Sequence, residues 1–382
     1  MTQTGLITAA RQTGDGVEVE FADGLTARFH PIWLRDTCRC SECRHPGTLR
    51  RINESMSIPV DVTTRSVHVA DGATELHITW PDGHVSAVGA LWLRENARFD
   101  APCTGMVDRT RGKSVWGAEL AARLPWFEYD QVVSDPAAML RWLETIDQMG
   151  FALLDGMPTD RATMSDLAAR IGPIRASNYG VDWEIEATTA PKNAVYSARG
   201  LSAHTDLPYR ASPPGLQFLL ADVADAPGGE SMLVDGYRVA EALLAENPAM
   251  WTTLTTTDVG FTYVDEQYDL YYRAPIIGLR PDGSYGVFRH APGLLEPFDP
   301  TPETFGAVYT AVYRFAELLR DPVHEIRIRL EAGQMVAFDN VRILHGRAPF
   351  DLGPGGRRHL LGCYIDIDDL HSRIRVLQRA EG

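Results

Sequence analysis

Apolar and polar residues alternate strictly in several short runs of this chain. Val17-Glu-Val-Glu-Phe21, Ser66-Val-His-Val-Ala70 and Glu75-Leu-His-Ile-Thr-Trp80 carry a period of two, which gives each predicted strand one apolar face. Ala22-Asp23-Gly24 and Ala70-Asp71-Gly72 supply turn residues beside them. The period changes to that of a helix over 135–149, where Asp135 is placed to cap the N-terminus and Pro136 suits the first helical position. Further helices are expected over 237–246 and 302–319, and further strands over 150–155, 216–220, 286–288, 325–330, 334–338 and 359–365. Many strands carried between a few helices predict a mostly β protein with flanking helices, its main part a double-stranded β-helix or jelly roll. The expected organisation is a small β-rich domain over 1–100, a linker over 101–130 rich in Gly, Arg, Trp and Pro, and the jelly roll over 131–382. No internal repeat or low-complexity tract stands out.

The 382 residues can bury a sizeable core, and 45% hydrophobic with 23% charged residues describes an ordinary globular chain. A net charge of −15 with no long basic run speaks against nucleic acid as a partner, and an anionic substrate would need local Arg or Lys for its capture. No apolar stretch approaches a membrane span, and no secretory leader is visible, so a cytoplasmic location is expected. Three of the five cysteines crowd into Cys38, Cys40 and Cys43, a spacing that reads as metal binding before disulfides.

Ser202-Ala-His-Thr-Asp206 is answered far downstream by Asp339-Asn-Val-Arg-Ile-Leu-His-Gly346. On a strand His204 and Asp206 point to one face, and His345, expected on a turn after the 334–338 strand, could complete the set. Two imidazoles and one carboxylate are the ligands of a non-haem Fe(II) oxygenase site, with the remaining positions open. The plainer alternative makes His204 a loop histidine and Asp206 a cap.

The ordered motifs Trp33-Leu-Arg-Asp-Thr-Cys-Arg-Cys-Ser-Glu-Cys43, Ile78-Thr-Trp-Pro-Asp-Gly-His84, Asn193-Ala-Val-Tyr196, Leu201-Ser-Ala-His-Thr-Asp206, Phe338-Asp-Asn-Val-Arg-Ile-Leu-His-Gly346 and Arg358-His-Leu-Leu-Gly-Cys-Tyr364 span nearly the whole chain. They resemble the Fe(II)/2-oxoglutarate dioxygenases, and more narrowly the γ-butyrobetaine dioxygenase branch. The resemblance implies His204, Asp206 and His345 as iron ligands. It implies Arg358 as partner of the distal carboxylate of 2-oxoglutarate, a role the planar guanidinium suits, and Asn193 as a residue that positions cosubstrate and substrate. It implies His84 as fourth ligand of a structural Cys3His zinc site with Cys38, Cys40 and Cys43, although His45 lies nearer in sequence. It places Tyr179, Trp183, Tyr196 and Tyr364 around a quaternary ammonium, which aromatic faces attract by roughly 0.5–2 kcal/mol each. A homodimer is also implied.

The chain departs from this branch at Phe288-Arg-His-Ala291, where γ-butyrobetaine hydroxylases resemble one another in Phe-Asn-Asn. Arg289 and His290 add positive charge, which suits a head group more anionic than a carboxylate; a phosphonate carries roughly −1.5 to −2 by analogy with phosphate esters. The favoured expectation is a hydroxylase of 2-(trimethylammonio)ethylphosphonate that uses dioxygen, acts at the carbon bearing phosphorus and converts 2-oxoglutarate to succinate and CO2. The alternative is γ-butyrobetaine hydroxylation to carnitine, with Arg289 and His290 paired to local carboxylates. Leu207 departs as well, since carnitine-forming members resemble one another in an aromatic at that place. From other classes, a zinc hydrolase or lyase and a non-catalytic zinc-containing binding protein stand as rivals.

Overall fold

The computed structural model describes residues 5–14, 16–48, 50–52, 57–97, 108–186, 198–296, 302–351 and 357–381, and its contacts divide the chain into units Met1–Met106 and Val107–Gly382. Asn193 and Tyr196 lie outside the described residues.

The first unit contains a repeat that the sequence reading did not find. Strands β1 (Ile7–Thr13), β2 (Gly16–Phe21) and β3 (Thr26–Phe29) form an antiparallel sheet followed by helix α1 (Pro31–Asp36). Strands β4 (Ser66–Val69), β5 (Glu75–Thr79) and β6 (Val85–Gly89) form another, followed by α2 (Ala90–Glu95). Phe21-Ala-Asp-Gly24 matches Trp80-Pro-Asp-Gly83, and Trp33-Leu-Arg-Asp36 matches Trp92-Leu-Arg-Glu95. The halves interlock reciprocally. Arg35 pairs with Asp82 at 3.3 Å, Arg94 pairs with Asp23 at 2.8 Å, and Trp33 stacks on Trp92 at 5.1 Å. Val17, Val19, Leu34, Leu76, Ile78, Trp80 and Leu93 make the shared core. The repeat hides because few side chains survive in both halves; the shared spacing of Asp-Gly turns and helices carries it.

The second unit opens with β7 (Trp126–Glu128), α3 (Tyr129–Ser134), α4 (Pro136–Met149), β8 (Phe151–Asp155), α5 (Arg161–Ala169), β9 (Asp182–Glu186) and β10 (Leu201–His204). It continues through β11 (Leu216–Ala224), β12 (Ser231–Asp235), α6 (Gly236–Glu246), α7 (Pro248–Thr256) and the hairpins β13 (Val259–Val264) with β14 (Asp269–Ala274) and β15 (Ile277–Leu279) with β16 (Tyr285–Phe288). It ends with α8 (Pro302–Leu319), β17 (Glu325–Ile328), β18 (Met335–Asp339), β19 (Ile343–Arg347), β20 (Arg358–Ile365) and α9 (Ile367–Glu381). Within the stretch read as linker, residues 126–128 are a parallel edge strand on β8. Trp126, one of the residues that predict a linker there, is the first residue of that strand.

Two sheets build the jelly roll, β7-β8-β18-β11-β20-β9 and β10-β19-β12-β17. Period two sorts the large sheet's side chains. Leu216, Phe218, Leu220, Met335, Ala337, Leu361 and Cys363 pack against α4, α5 and α9. Leu219, Ala221, Val336, Phe338 and Leu360 face Leu233, Ile326, Ile328 and Ile343 of the small sheet. Gln217, Arg358 and Tyr364 lie in the rows of this inner face.

Candidate active site

His204 ends β10 and pairs directly with His345 of β19, the ring centroids 4.4 Å apart. The approach requires Gly346, since a Cβ there would lie 2.5 Å from the carbonyl oxygen of Leu201. His345 therefore sits within a strand, not on the turn that the sequence suggested. Asp206 in turn lies beyond the end of β10, so strand alternation is not what aims it. Bonds from other elements do so. Thr205 N–H donates to the His290 carbonyl at 2.8 Å, and the Thr205 hydroxyl accepts from His290 N–H at 3.0 Å. The wholly buried Asn340 accepts Asp206 N–H at 2.7 Å and donates to the carbonyls of Asp206 and Pro214 at 3.1 and 3.0 Å. Leu207 then takes φ +54°, a left-handed conformation that costs a leucine about 1–2 kcal/mol, at the residue next to the carboxylate.

The Nε2 atoms of His204 and His345 face Asp206 Oδ1 at 3.4 and 3.8 Å. Burial opposes the Asp206 charge, but His345, His204 and the Tyr364 hydroxyl outweigh it and hold the carboxyl well below its usual range. Burial pushes His345 down to about 3, so it is a neutral imidazole with a lone pair to offer. Burial also disfavours the His204 cation, but its bond to Asp206 prevails and raises it. His204 Nδ1 lies 2.9 Å from the Ser202 carbonyl, which calls for the proton on Nδ1 and leaves Nε2 free to ligate. The donor set fits a divalent transition metal, which would take the place of the His204 proton against Asp206. Among the described residues no fourth histidine, cysteine or carboxylate joins the three.

Arg358, on the inner row of β20, is 8% exposed, and among the described residues no carboxylate pairs with it. Burial and the neighbouring Arg347 push its guanidinium down to about 10, which still leaves a cation at neutral pH. It lines a small cavity with Ser231 and Leu360, and the chain passes it through Gly229 at φ +72°, whose Cβ would sit 3.0 Å from Arg358 Nε. A buried cation without a counter-ion fits a ligand carboxylate. Gln217 is a residue that sequence reasoning missed. Only 1% exposed, it lies between Phe338 and Tyr364 in register, and among the described residues its Oε1 has no partner. Phe338 packs on the His345 ring at 4.7 Å.

Aromatic rings gather beside Asp206. Trp183 lies flat over Gly362, whose Cβ would meet the indole at 2.3 Å, and packs on Tyr364 at 5.4 Å. Tyr179 meets Tyr263 edge-on at 6.1 Å, and Tyr263 stacks on Tyr209 at 5.2 Å. Burial pushes Tyr209 up to about 12. Tyr179, Trp183 and Tyr364 were expected here; Tyr209 and Tyr263 were not, because Tyr263 reaches the cluster only through the β13–β14 hairpin. Tyr209 stands two positions beyond Leu207, where the branch's usual aromatic is absent.

Arg289 is 6% exposed, donates to the Ala211 carbonyl at 2.9 Å and lies 5.0 Å over the Tyr272 ring. Among the described residues its Nε has no partner, and no carboxylate pairs with either Arg289 or His290. The local ion pairs of the alternative reading are thus not seen among the described residues. His290 is a different matter from Arg289. Burial, helped by His204 and Arg320, pushes it down to about 3, and its ring sits edge-on to Phe315 at 5.6 Å. It is neutral and adds no positive charge, contrary to the reason for which sequence reading singled it out.

In the first unit His84 Nε2 lies 3.3, 3.7 and 3.6 Å from the sulfurs of Cys38, Cys40 and Cys43. A tetrahedral zinc ion with ordinary Zn–S and Zn–N bonds sets such edges near 3.5 Å, by order of magnitude. His84 Nδ1 faces Glu42 at 3.4 Å, and Arg35 donates to Cys43 Sγ at 3.3 Å, partners that orient a histidine ligand and offset thiolate charge. His45 is not of the group; its Nδ1 accepts from Thr48 N–H.

Comparison with known proteins gives concordant matches. Residues 108–364 match the family described as taurine catabolism dioxygenase TauD, TfdA family, and residues 8–94 match the gamma-butyrobetaine hydroxylase-like N-terminal family. The chain is 38% identical over 374 residues to gamma-butyrobetaine dioxygenase of Pseudomonas sp. (strain AK-1), covering 98% of this chain and 96% of that one. It is 30% identical to trimethyllysine dioxygenase of Meyerozyma guilliermondii, covering 95% and 94%. Among solved structures, asparagine oxygenase with Fe(II), 3-hydroxyasparagine and succinate shares the fold at a TM-score of 0.50 and 16% identity, covering 65% of this chain and 83% of that one.

Proposed function

We propose, from the premise that this chain belongs to the TauD/TfdA dioxygenase family, that it hydroxylates a trimethylammonium zwitterion using Fe(II), 2-oxoglutarate and dioxygen. The observation that carries the reading is the convergence of His204, Asp206 and His345 beside a cluster of five aromatic rings. Two of the relatives it matches over nearly their whole length are named for trimethylammonium substrates.

Fe(II) with 2-oxoglutarate supplies the oxidation: dioxygen is consumed as 2-oxoglutarate becomes succinate and CO2, and one oxygen atom enters the substrate as hydroxyl. The residues position and shelter. His204, Asp206 and His345 hold the metal from one side. Arg358 pairs with the distal carboxylate of 2-oxoglutarate, and Asn193 helps to place cosubstrate and substrate. Tyr179, Trp183, Tyr196 and Tyr364 surround the ammonium, with Tyr209 and Tyr263 extending that wall. Arg289 takes the anionic end. Gripping the zwitterion at both ends aims one carbon at the metal, an effect of orientation. Cys38, Cys40, Cys43 and His84 hold a structural zinc ion.

γ-Butyrobetaine, giving carnitine, is the better supported substrate, because the relative of 38% identity is a gamma-butyrobetaine dioxygenase. A second reading, 2-(trimethylammonio)ethylphosphonate, is favoured by one observation: Arg289 is buried and, among the described residues, pairs with no carboxylate. The neutral His290 no longer contributes to that case. Competing the two substrates in a succinate assay separates the readings. Arg289→Asn should lower turnover of the phosphonate far more than that of γ-butyrobetaine if the phosphonate is native. Preferential turnover of γ-butyrobetaine by the unmodified protein, unchanged in Arg289→Asn, removes the second reading.

A further inference from the structure

The two oxygens of Asp206 have different partners. Oδ1 faces the Nε2 atoms of both histidines, at 3.4 and 3.8 Å. Oδ2 accepts a hydrogen bond from the Tyr364 hydroxyl at 2.7 Å. Tyr364 is only 2% exposed, and its ring packs on Trp183 within the aromatic cluster. Its place is fixed by the inner row of β20, six residues from Arg358, and by Gly362, which admits Trp183 against the strand.

We infer that Tyr364 is a positioning residue that joins the ammonium subsite to the metal carboxylate: its ring faces the substrate while its hydroxyl fixes Asp206 through Oδ2. Holding Oδ2 leaves Oδ1 as the oxygen presented beside the two histidines, where these three residues would hold a metal. A charge-assisted bond of this length to an ionised carboxylate is among the stronger hydrogen bonds available to a side chain. Partners that orient metal ligands typically change metal affinity or activity 10–100-fold. With one side chain joining the two subsites, any effect of substrate on metal affinity is matched by an equal effect of metal on substrate affinity. This inference rests on the proposed assignment of Asp206 as a metal ligand.

The test is Tyr364→Phe, which keeps the ring and removes the hydroxyl, read by anaerobic titration with Mn(II) as a redox-stable stand-in for Fe(II). Mn(II) binding should weaken about 10–100-fold, while KM for the trimethylammonium substrate shifts less than about threefold. Substrate should tighten Mn(II) binding in the unmodified protein and do so less in Tyr364→Phe. Tyr364→Leu, which loses ring and hydroxyl together, should impair both metal and substrate binding. If Tyr364→Phe binds Mn(II) as tightly as the unmodified protein, with the same response to substrate, the inference is overturned. Asp206→Ala separates this failure from that of the metal assignment: if it loses Mn(II) binding while Tyr364→Phe does not, only the role of Tyr364 falls. If Asp206→Ala binds Mn(II) normally, the metal assignment falls, and the inference falls with it.

Discussion

Asn340 clamps Asp206 by its backbone on both sides, accepting from the N–H at 2.7 Å and donating to the carbonyl at 3.1 Å, 134 residues away in sequence. The carboxylate is thus placed by a buried amide on the turn between β18 and β19, the turn that also leads to His345. Asn340→Ala removes three hydrogen bonds from a wholly buried position. It should cost about 1–3 kcal/mol of stability per buried group left unpaired and weaken metal binding. Chemical denaturation and Mn(II) titration on the same variant check both; unchanged metal affinity would show that Asp206 needs no such clamp.

Gly346 permits the contact of β10 with β19 that brings His204 to His345. Gly346→Ala must push Leu201 away from a Cβ only 2.5 Å from its carbonyl oxygen. A displacement of this order can cost about 100-fold in turnover. Steady-state assays should find that loss while the circular dichroism spectrum stays close to that of the unmodified protein. Full activity in Gly346→Ala would mean the two strands are looser than the register indicates.

The Cys3His site predicts one tightly held zinc ion per chain, separate from the chelatable iron. Elemental analysis after mild chelation should retain zinc and lose iron. Cys38→Ser should release the zinc and lower the melting temperature, because binding to a structural site is itself folding free energy. A zinc-free protein of undiminished stability would contradict the assignment.

Asp147 of α4 joins His371 of α9 at 3.1 Å and Lys113 at 2.6 Å. Burial opposes its charge, but these partners outweigh it and hold its carboxyl down to about 2. A carboxyl depressed by folding contributes stability that is fully present above its unfolded value, near 3.9, and is lost as pH falls toward 2. Asp147→Asn should therefore destabilise the protein by about 2 kcal/mol at pH 7. The difference between the two proteins should shrink as pH falls from about 4 toward 2. Urea unfolding across that range measures it, and a gap that does not depend on pH would refute the ionic account.

How far the sequence revealed the molecule depended on range. Helices α4 and α6 and the runs at Val17–Phe21 and Gln334–Phe338 were legible from period and capping alone, because their signals are local. The proposed iron and zinc ligands stood out because cysteine and histidine are few in this chain, 5 and 11 residues, and their chemistry is narrow. What escaped was set by contacts across long separations. Asp206 is aimed by Asn340 and His290 rather than by strand alternation, and Tyr263 joins the aromatic cluster through a hairpin. His290 shows the reverse error: its residue type promised charge, and burial against Phe315 removes it. The Trp33 and Trp92 repeat went unseen because it survives in spacing more than in identity.

The central claim is that His204, Asp206 and His345 support oxidation of a trimethylammonium substrate coupled to 2-oxoglutarate. Its most direct test follows succinate and hydroxylated product together, with Fe(II), 2-oxoglutarate, oxygen and either γ-butyrobetaine or its phosphonate analogue. The account predicts equal amounts of succinate and hydroxylated product, dependence on oxygen, and loss of both in Asp206→Ala. Turnover without oxygen, or undiminished succinate formation in Asp206→Ala, would contradict it.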